Sequence, residues 1–257
     1  VAPQKTRGII LQTRDYTETS NLVNILTPDQ GLLKTLAKGA SRPTSQLRGK
    51  LELLNYGTLL YYPSRSSDLH ILAQFDLLDP FPGALNTLEK SALFHYLAEL
   101  SAAAAYGAEH GRDLFDLMLH MLRNASMIDT ISSARLWFEI HYLYLLGVLP
   151  PFDRCSRCRR MMEKGIRFSF RGPGWLCENC GSNDSLPIEP GLMAAIRYII
   201  RSDLEQVLKL KLSDPQTAIL DRLLRYLVDS AVHKKLKSRH FLNHVIFTPK
   251  KVAELSS

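Results

Sequence analysis

The feature that most constrains this chain is where its cysteines fall. Cys155-Ser-Arg-Cys158 and Cys177-Glu-Asn-Cys180 use all 4 cysteines of the 257 residues, with residues 159–176 between the pairs. A C-x2-C turn puts two sulfurs on one side of a metal, and two such turns close a tetrahedron with Zn–S bonds of about 2.3 Å. Cys155, Cys158, Cys177 and Cys180 are therefore the expected ligands of a zinc ion. Four thiolates leave no open coordination position, so the zinc is expected to be structural. Gly181 suits a tight turn after the second pair, and Arg154, Arg157, Arg159 and Arg160 would favour thiolates and offset the charge of the filled site. The rival readings are two disulfides or a redox pair. Val1 to Arg7 lack the apolar core of an export signal, so a reducing, cytoplasmic compartment is expected, which disfavours disulfides. The absence of a βαβ context disfavours the redox pair.

Hydrophobic residues make up 46% and charged residues 22% of the chain, an ordinary globular balance that argues against large-scale disorder. No stretch is long and apolar enough to read as a membrane-spanning helix. The net charge of +7 points weakly to polyanionic partners.

The first 80 residues read as β-structure. Gly8–Arg14 and Leu22–Thr27 are rich in strand formers, Pro28-Asp-Gln-Gly31 is a turn, and Leu32–Lys38 is the returning arm of a hairpin. Leu51–Tyr62 and Leu69–Leu78 follow. In the last of these, Leu69, Ile71, Ala73, Phe75 and Leu77 alternate as one face of a half-buried strand. Five short strands in this length predict a small closed barrel, and an OB-fold is the commonest of that size. Asp79-Pro-Phe-Pro-Gly83 ends the pattern. From residue 84 the period is helical: Leu114, Leu117, Met118, Met121 and Leu122 form one stripe, and Leu136, Ile140 and Leu143 another. Asp214-Pro215 reads as a helix start, before a stripe of Ile219, Leu220, Leu223, Leu224, Leu227 and Val228. The stripes read as core. The expected class is α+β: a five-stranded OB-fold nucleic-acid-binding domain over 1–80, then a helical domain over 81–257 with an inserted zinc finger at 153–183.

Charge is unevenly spread. Residues 81–153 are net acidic and 197–251 net basic, and between Asp29 and Glu52 stand Lys34, Lys38, Arg42, Arg48 and Lys50 with no acid among them. Lys34 and Lys38 share strand parity, which would place them on one face about 13 Å apart. The loop that follows carries Arg42, Arg48 and Lys50 beside Ser41, Thr44 and Ser45, which can bond phosphate oxygens. These five basic residues are the candidate DNA-binding set, and a solvated surface is the plainer alternative. Tyr56, Tyr61 and Tyr62 could stack bases or fill the barrel.

Catalytic patterns are missing. Gly31-Leu-Leu-Lys-Thr35 lacks the glycine before lysine that a phosphate cradle needs, and His240 and His244 lack the glutamate of H-E-x-x-H. There is no nucleophile elbow. Asp113 and Asp116 read as solvated charges. No enzyme and no small-molecule substrate are expected.

Several segments together carry a resemblance: Arg14-Asp-Tyr-Thr-Glu-Thr-Ser20, Leu26-Thr-Pro-Asp-Gln-Gly31, Ala37-Lys-Gly-Ala-Ser-Arg42, and Trp137–Gly147 followed by Pro150 and the first cysteine pair. In this order and spacing the chain resembles the bacterial recombination mediator family RecO over nearly its whole length. Leu51-Glu-Leu-Leu-Asn55 departs from an L-x-P-F type segment frequent in the family, and some members lack the cysteines. The resemblance implies binding to single- and double-stranded DNA and annealing of complementary strands. It implies contact with RecR and with the acidic C-terminal tail of single-strand-binding protein, help in loading RecA at gaps and breaks, and a place at the nucleoid. It also implies a tail pocket on the helical domain. The few basic residues of 81–153 make Arg135, preceding Leu136-Trp137-Phe138, the first candidate and Arg123 the second; the alternative is that Trp137 and Phe138 are core. The competing functional classes are a zinc-ribbon RNA-binding or transcription-related protein and a metal-dependent enzyme of nucleic acids. The latter would need further His or carboxylate ligands, which the sequence does not show.

Overall fold

The computed structural model describes residues 2–104, 110–149, 152–162, 164–172, 174–232 and 235–247. The chain forms two compact units, Val1–Ile131 with Lys234–Ser257, and Ser132–His233.

The first unit is built on a closed barrel of β1 (Gln4–Asp15), β2 (Asn21–Thr27), β3 (Gly31–Ala37), β4 (Tyr56–Tyr62) and β5 (Leu69–Asp79), in the order β1-β2-β3-β5-β4. This is the OB-type order. Antiparallel pairs join β1 to β2, β2 to β3 and β4 to β5, β1 returns to β4, and a short parallel pairing of Lys34–Leu36 with Leu69–Ile71 closes the cylinder. In β3 the period of two is clean: Leu33, Thr35 and Ala37 are buried and Leu32, Lys34 and Leu36 face outward. The buried Thr35 hydroxyl donates to the carbonyl of Val23 at 3.0 Å, so burying this polar side chain leaves no unmet hydrogen bond. Gly31 has φ +64°, as the Pro28–Gly31 turn requires.

Two expected strand features are corrected. The alternation of Leu69, Ile71, Ala73, Phe75 and Leu77 does not persist. Opposite β4 the register slips between Leu60/Gln74 and Tyr61/Leu72, and the extra residue, Ala73, resets the parity. Leu72 and Phe75 therefore enter the core, while Leu77 and Leu78 are exposed. The strand expected from Leu51 begins only at Tyr56. Residues 51–55 form a turn with Leu54 at φ +69°, which ends any extended run.

Helices α1 (Leu88–Ala104) and α2 (Gly111–Arg123) pack beside the barrel, and the C-terminal helix of the described chain, Lys237–Phe247, packs on α1. A Cβ at Gly111 would lie 2.7 Å from the Cα and N of Gly31, so only glycine lets α2 seat on the β2–β3 turn. Phe115 of α2 and Phe81 both place their rings 6.2 Å from Tyr56. Leu114, Leu117, Met118, Met121 and Leu122 are buried as the stripe predicts. Glu99 of α1 accepts hydrogen bonds from the backbone N–H groups of Lys237 and Ser238, satisfying the start of the last helix with a negative charge where the helix dipole favours one.

The second unit holds α3 (Ile131–Leu145), short strands β6 (Arg167–Ser169), β7 (Gly174–Leu176) and β8 (Leu186–Pro187), then α4 (Pro190–Arg201), α5 (Leu204–Leu208) and α6 (Asp214–Ala231). The last helix, Lys237–Phe247, is α7 in chain order. The sheet runs β7-β6-β8. Phe168 meets Trp175 edge-on at 4.9 Å, Phe170 meets Tyr226 of α6 at 5.1 Å, and Arg222 lies over the Phe170 ring. At the start of α6 the cap is Ser213 rather than Asp214. Its side chain accepts from Gln216 N–H and Gln216 reaches back to the Ser213 N–H, a reciprocal pair that leaves Asp214 and Pro215 in the first turn.

Candidate metal centre and basic cleft

The four cysteines, expected as a set from spacing alone, converge. One sulfur of each lies within 4.8 Å of all the others, and Cys158 and Cys177 are 3.8 Å apart. A regular tetrahedron with metal–sulfur bonds of about 2.3 Å has edges of about 3.8 Å, so the donors stand near coordination distance, and the cluster could hold a metal ion. Each pair sits in a tight turn: Arg159 N–H donates to the Cys155 carbonyl, and the N–H groups of Cys180 and Gly181 both donate to the Cys177 carbonyl. Cys155 is buried and Cys158 exposed, so the cluster lies at the rim of the unit.

The thiols share protons unequally. Burial works to raise Cys155, but hydrogen bonds from the backbone of Cys158, Cys177 and Arg157 and from the Cys158 thiol outweigh it and bring Cys155 down to about 6. Hydrogen bonds to Cys158 and Cys177, with desolvation next, hold Cys180 up at about 12. Hydrogen bonding within the cluster thus pulls one thiol down and pushes another up.

The surroundings differ from expectation in one respect. The left-handed residue is Arg159, at φ +61°, and Gly181 is not among the positive-φ residues. Gly181 is required for another reason: a Cβ there would come 2.3 Å from Cδ of Arg167, whose guanidinium donates to the Ser185 hydroxyl and carbonyl. Arg154, Arg157, Arg159 and Arg160 are all exposed, and Arg157 donates to the carbonyl of Cys180 at 3.1 Å.

The five basic residues of the barrel do not all line the same cleft. Lys34 lies on the outward face of β3. Lys38 falls just beyond the end of that strand, in a turn with Gly39 at φ +67°, so strand parity does not govern it. Lys38 and Arg42 line one cleft of about 410 Å³ with Tyr16, Thr17, Thr19, Ser20, Leu36 and Gly39. Arg48 lines a separate cleft of about 420 Å³ that also contains Asp15 and Glu52. Lys50 is half-buried, and its carbonyl accepts from Asn55. The carrying segment is held firmly, because Ala40, Leu47 and Leu51 are part of the barrel core.

Tyr56 and Tyr61 are barrel-side packing residues, and Tyr62 is exposed at the end of β4. Tyr16 was not singled out in the sequence. Its signal was its place in the β1–β2 turn of Arg14–Ser20, but nothing in the local sequence ties that turn to Lys38 and Arg42. Asp113 and Asp116 are exposed on α2, as expected of solvated charges.

Arg123 is exposed at the end of α2. Arg135, on α3, is buried and forms ion pairs with Glu139, one turn on at 3.2 Å, and with Asp221 of α6. Trp137 and Phe138 are buried too, and the Trp137 indole donates to the Ser202 carbonyl.

Two family models match the chain, Recombination protein O N terminal over residues 2–81 and Recombination protein O C terminal over residues 85–240. The chain belongs to the Recombination protein O family. Among curated relatives, a DNA repair protein RecO of Bacillus pumilus is 28% identical over 94% of both chains. The DNA repair protein RecO of Bacillus subtilis is 26% identical over 94% of both. That of Rhodopirellula baltica is 33% identical over 69% of this chain and 67% of its own. No described helix of this family member is long and apolar enough to cross a membrane.

The ion-pair geometry around Arg135 makes a stability prediction. Glu139 is completely buried, so removing Arg135 takes a cation away from a carboxylate in the core. Arg135→Met should cost about 3–5 kcal/mol in urea unfolding monitored by far-UV circular dichroism. A variant as stable as the parent would show that the pairing contributes nothing.

Proposed function

We propose that this protein is a non-catalytic DNA-binding recombination mediator: it binds single- and double-stranded DNA, anneals complementary strands, and acts with RecR and single-strand-binding protein to help load RecA during gap and break repair. The observation that carries the reading is the juxtaposition of Lys38 and Arg42 in one cleft on a closed OB-type barrel, in a chain of the Recombination protein O family. Two cations on a rigid rim suit successive phosphates, and the neighbouring Thr17, Thr19 and Ser20 offer hydroxyls to phosphate oxygens. Lys34, Arg48 and Lys50 extend the positive field along β3 and its following loop. On this reading the division of labour falls at residue 80, with the cysteine module at 153–183 in the helical part.

Binding of this kind reads the backbone and releases counterions. Lys38→Ala with Arg42→Ala should lower the slope of log K against log salt by about 0.7–0.9 for each phosphate left without its cation, and should weaken unrelated sequences equally. Unchanged affinity and slope in fluorescence anisotropy would remove the barrel as the DNA platform.

We assign the metal as a structural zinc held by Cys155, Cys158, Cys177 and Cys180. The donor set is all thiolate and closed, which suits zinc and leaves no position for a reacting water. When bound, the ion would supply cross-linking of the two turns. Elemental analysis should find about one zinc per chain, and Cys177→Ser should lose it and lower the melting temperature. A protein purified without metal, and equally stable as the serine variant, would refute the assignment.

The acidic tail of single-strand-binding protein needs a basic group beside apolar surface. Arg135 is engaged with Glu139 and Asp221, so Arg123 is the better of the two candidates. Arg123→Glu should weaken binding of a tail peptide more than tenfold in calorimetry while DNA affinity persists. Full peptide affinity in that variant would place the pocket elsewhere.

A further inference from the structure

We infer that Tyr16 is a base-stacking platform that gives the Lys38–Arg42 cleft its preference for single-stranded over double-stranded DNA; this rests on the reading of that cleft as the DNA site. Tyr16 begins the turn between β1 and β2, and 58% of its surface is exposed. A single exposed tyrosine is ordinary on a protein surface. Three observations set this one apart.

The first is its company. Tyr16 shares one cleft of about 410 Å³ with both cations, so an aromatic face and two phosphate-seeking groups address the same volume. Single strands are held by that combination: a cationic track for the backbone and aromatic rings for unpaired bases. A duplex keeps its bases stacked on one another and presents only phosphates and groove edges, so it can use the cations but not the ring.

The second is rigidity. The Tyr16 and Thr17 N–H groups donate to the Ser20 carbonyl at 2.8 and 3.1 Å, closing the turn on itself. The turn is then fastened to the basic segment. Ser41 N–H donates to the Thr19 carbonyl at 3.1 Å, Gly39 N–H donates to the Ser20 hydroxyl at 3.3 Å, and the Ser41 hydroxyl donates to Asn21 Oδ1 at 2.9 Å. The ring and the cations are thus carried by two loops tied together, so the backbone that bears them is already ordered before a ligand arrives.

The third is the contrast with the other barrel tyrosines. Tyr56 and Tyr61 are buried, the former packed against Phe81 and Phe115 and the latter donating its hydroxyl to Gln4. Neither can offer a face to a base. Tyr62 is exposed, but it does not line the Lys38–Arg42 cleft.

The test uses the full chain and a labelled oligothymidine of about 16 nucleotides, the upper site size of one OB barrel, beside a duplex of equal length. Tyr16→Ala should weaken oligothymidine binding roughly tenfold, leave the duplex affinity unchanged and keep the salt slope, since no charge is removed. Tyr16→Phe, which keeps the ring, should bind as the parent does. A 2-aminopurine base in the oligomer should report stacking by quenching that Tyr16→Ala relieves. If Tyr16→Ala binds oligothymidine normally while Lys38→Ala with Arg42→Ala binds weakly, the stacking inference is overturned and the cleft reading survives. If both variants bind normally, the cleft reading falls and the inference with it. Equal loss on single strand and duplex would also overturn the stacking role.

Discussion

Closure of the barrel is the constraint on which the first unit depends, and β1 enforces it. Its first half pairs with β4 and its second half with β2, and the irregularity between Ile10 and Gln12 lets one strand serve both neighbours. Just there, Ile10 takes its remaining hydrogen bonds from outside any strand: its N–H donates to the Asn55 carbonyl, and its carbonyl accepts from the Leu54 N–H. The left-handed turn at Leu54 is what brings that backbone into reach. A closed sheet has no edge to offer another chain, so recognition through strand addition is foreclosed and polar chemistry moves to the loops.

The loop from Lys38 to Asn55 meets that demand by being apolar on one side. Ala40, Leu47 and Leu51 fill the end of the barrel, and the Thr13 hydroxyl donates to the Leu51 carbonyl at 2.7 Å. Between these anchors the backbone runs through successive tight turns, with Arg42, Arg48 and Lys50 supplying N–H or carbonyl groups to them. The same residues that carry charge outward thus belong to a segment whose inward side chains are core. A flexible cationic loop would lose conformational entropy on meeting a polyanion, and this one has little left to lose.

What was legible in the sequence follows from how local each signal is. The cysteine set could be read because metal geometry fixes spacing within each turn, and the pairing of turns follows from there being four ligands. The helical stripes of α2 and α6 could be read because a 3.6-residue period is a local property. The parity of β5 could not, since the bulge at Ala73 is set by its pairing with β4, a non-local event. Nor could the fate of Arg135, whose partner Asp221 is far away in sequence. A charge next to Trp137 and Phe138 looks like a surface pocket until α6 supplies the second carboxylate. The split of the basic run into two clefts had the same cause: which arginine faces Asp15 and Glu52 is decided by the fold of the loop rather than by its composition.

The second unit has a fold to which a metal ion at the four cysteines could contribute. Its sheet has strands of only 3, 3 and 2 residues, too short to be stable unaided. One side of the module is secured by aromatic packing, with Phe168, Trp175 and Phe170 interlocked and Tyr226 of α6 meeting both phenylalanines. The turns that bear the cysteines are supported unevenly: Cys155 is buried, but Cys158 and the arginines around it are exposed, and Arg159 is held in a backbone conformation unfavourable to a residue with a side chain. Strain of that kind persists only where something else fixes the turn. Four converging sulfurs provide the means, because an ion bound to all of them would join the two turns directly and make the aromatic side and the cysteine side one folded piece.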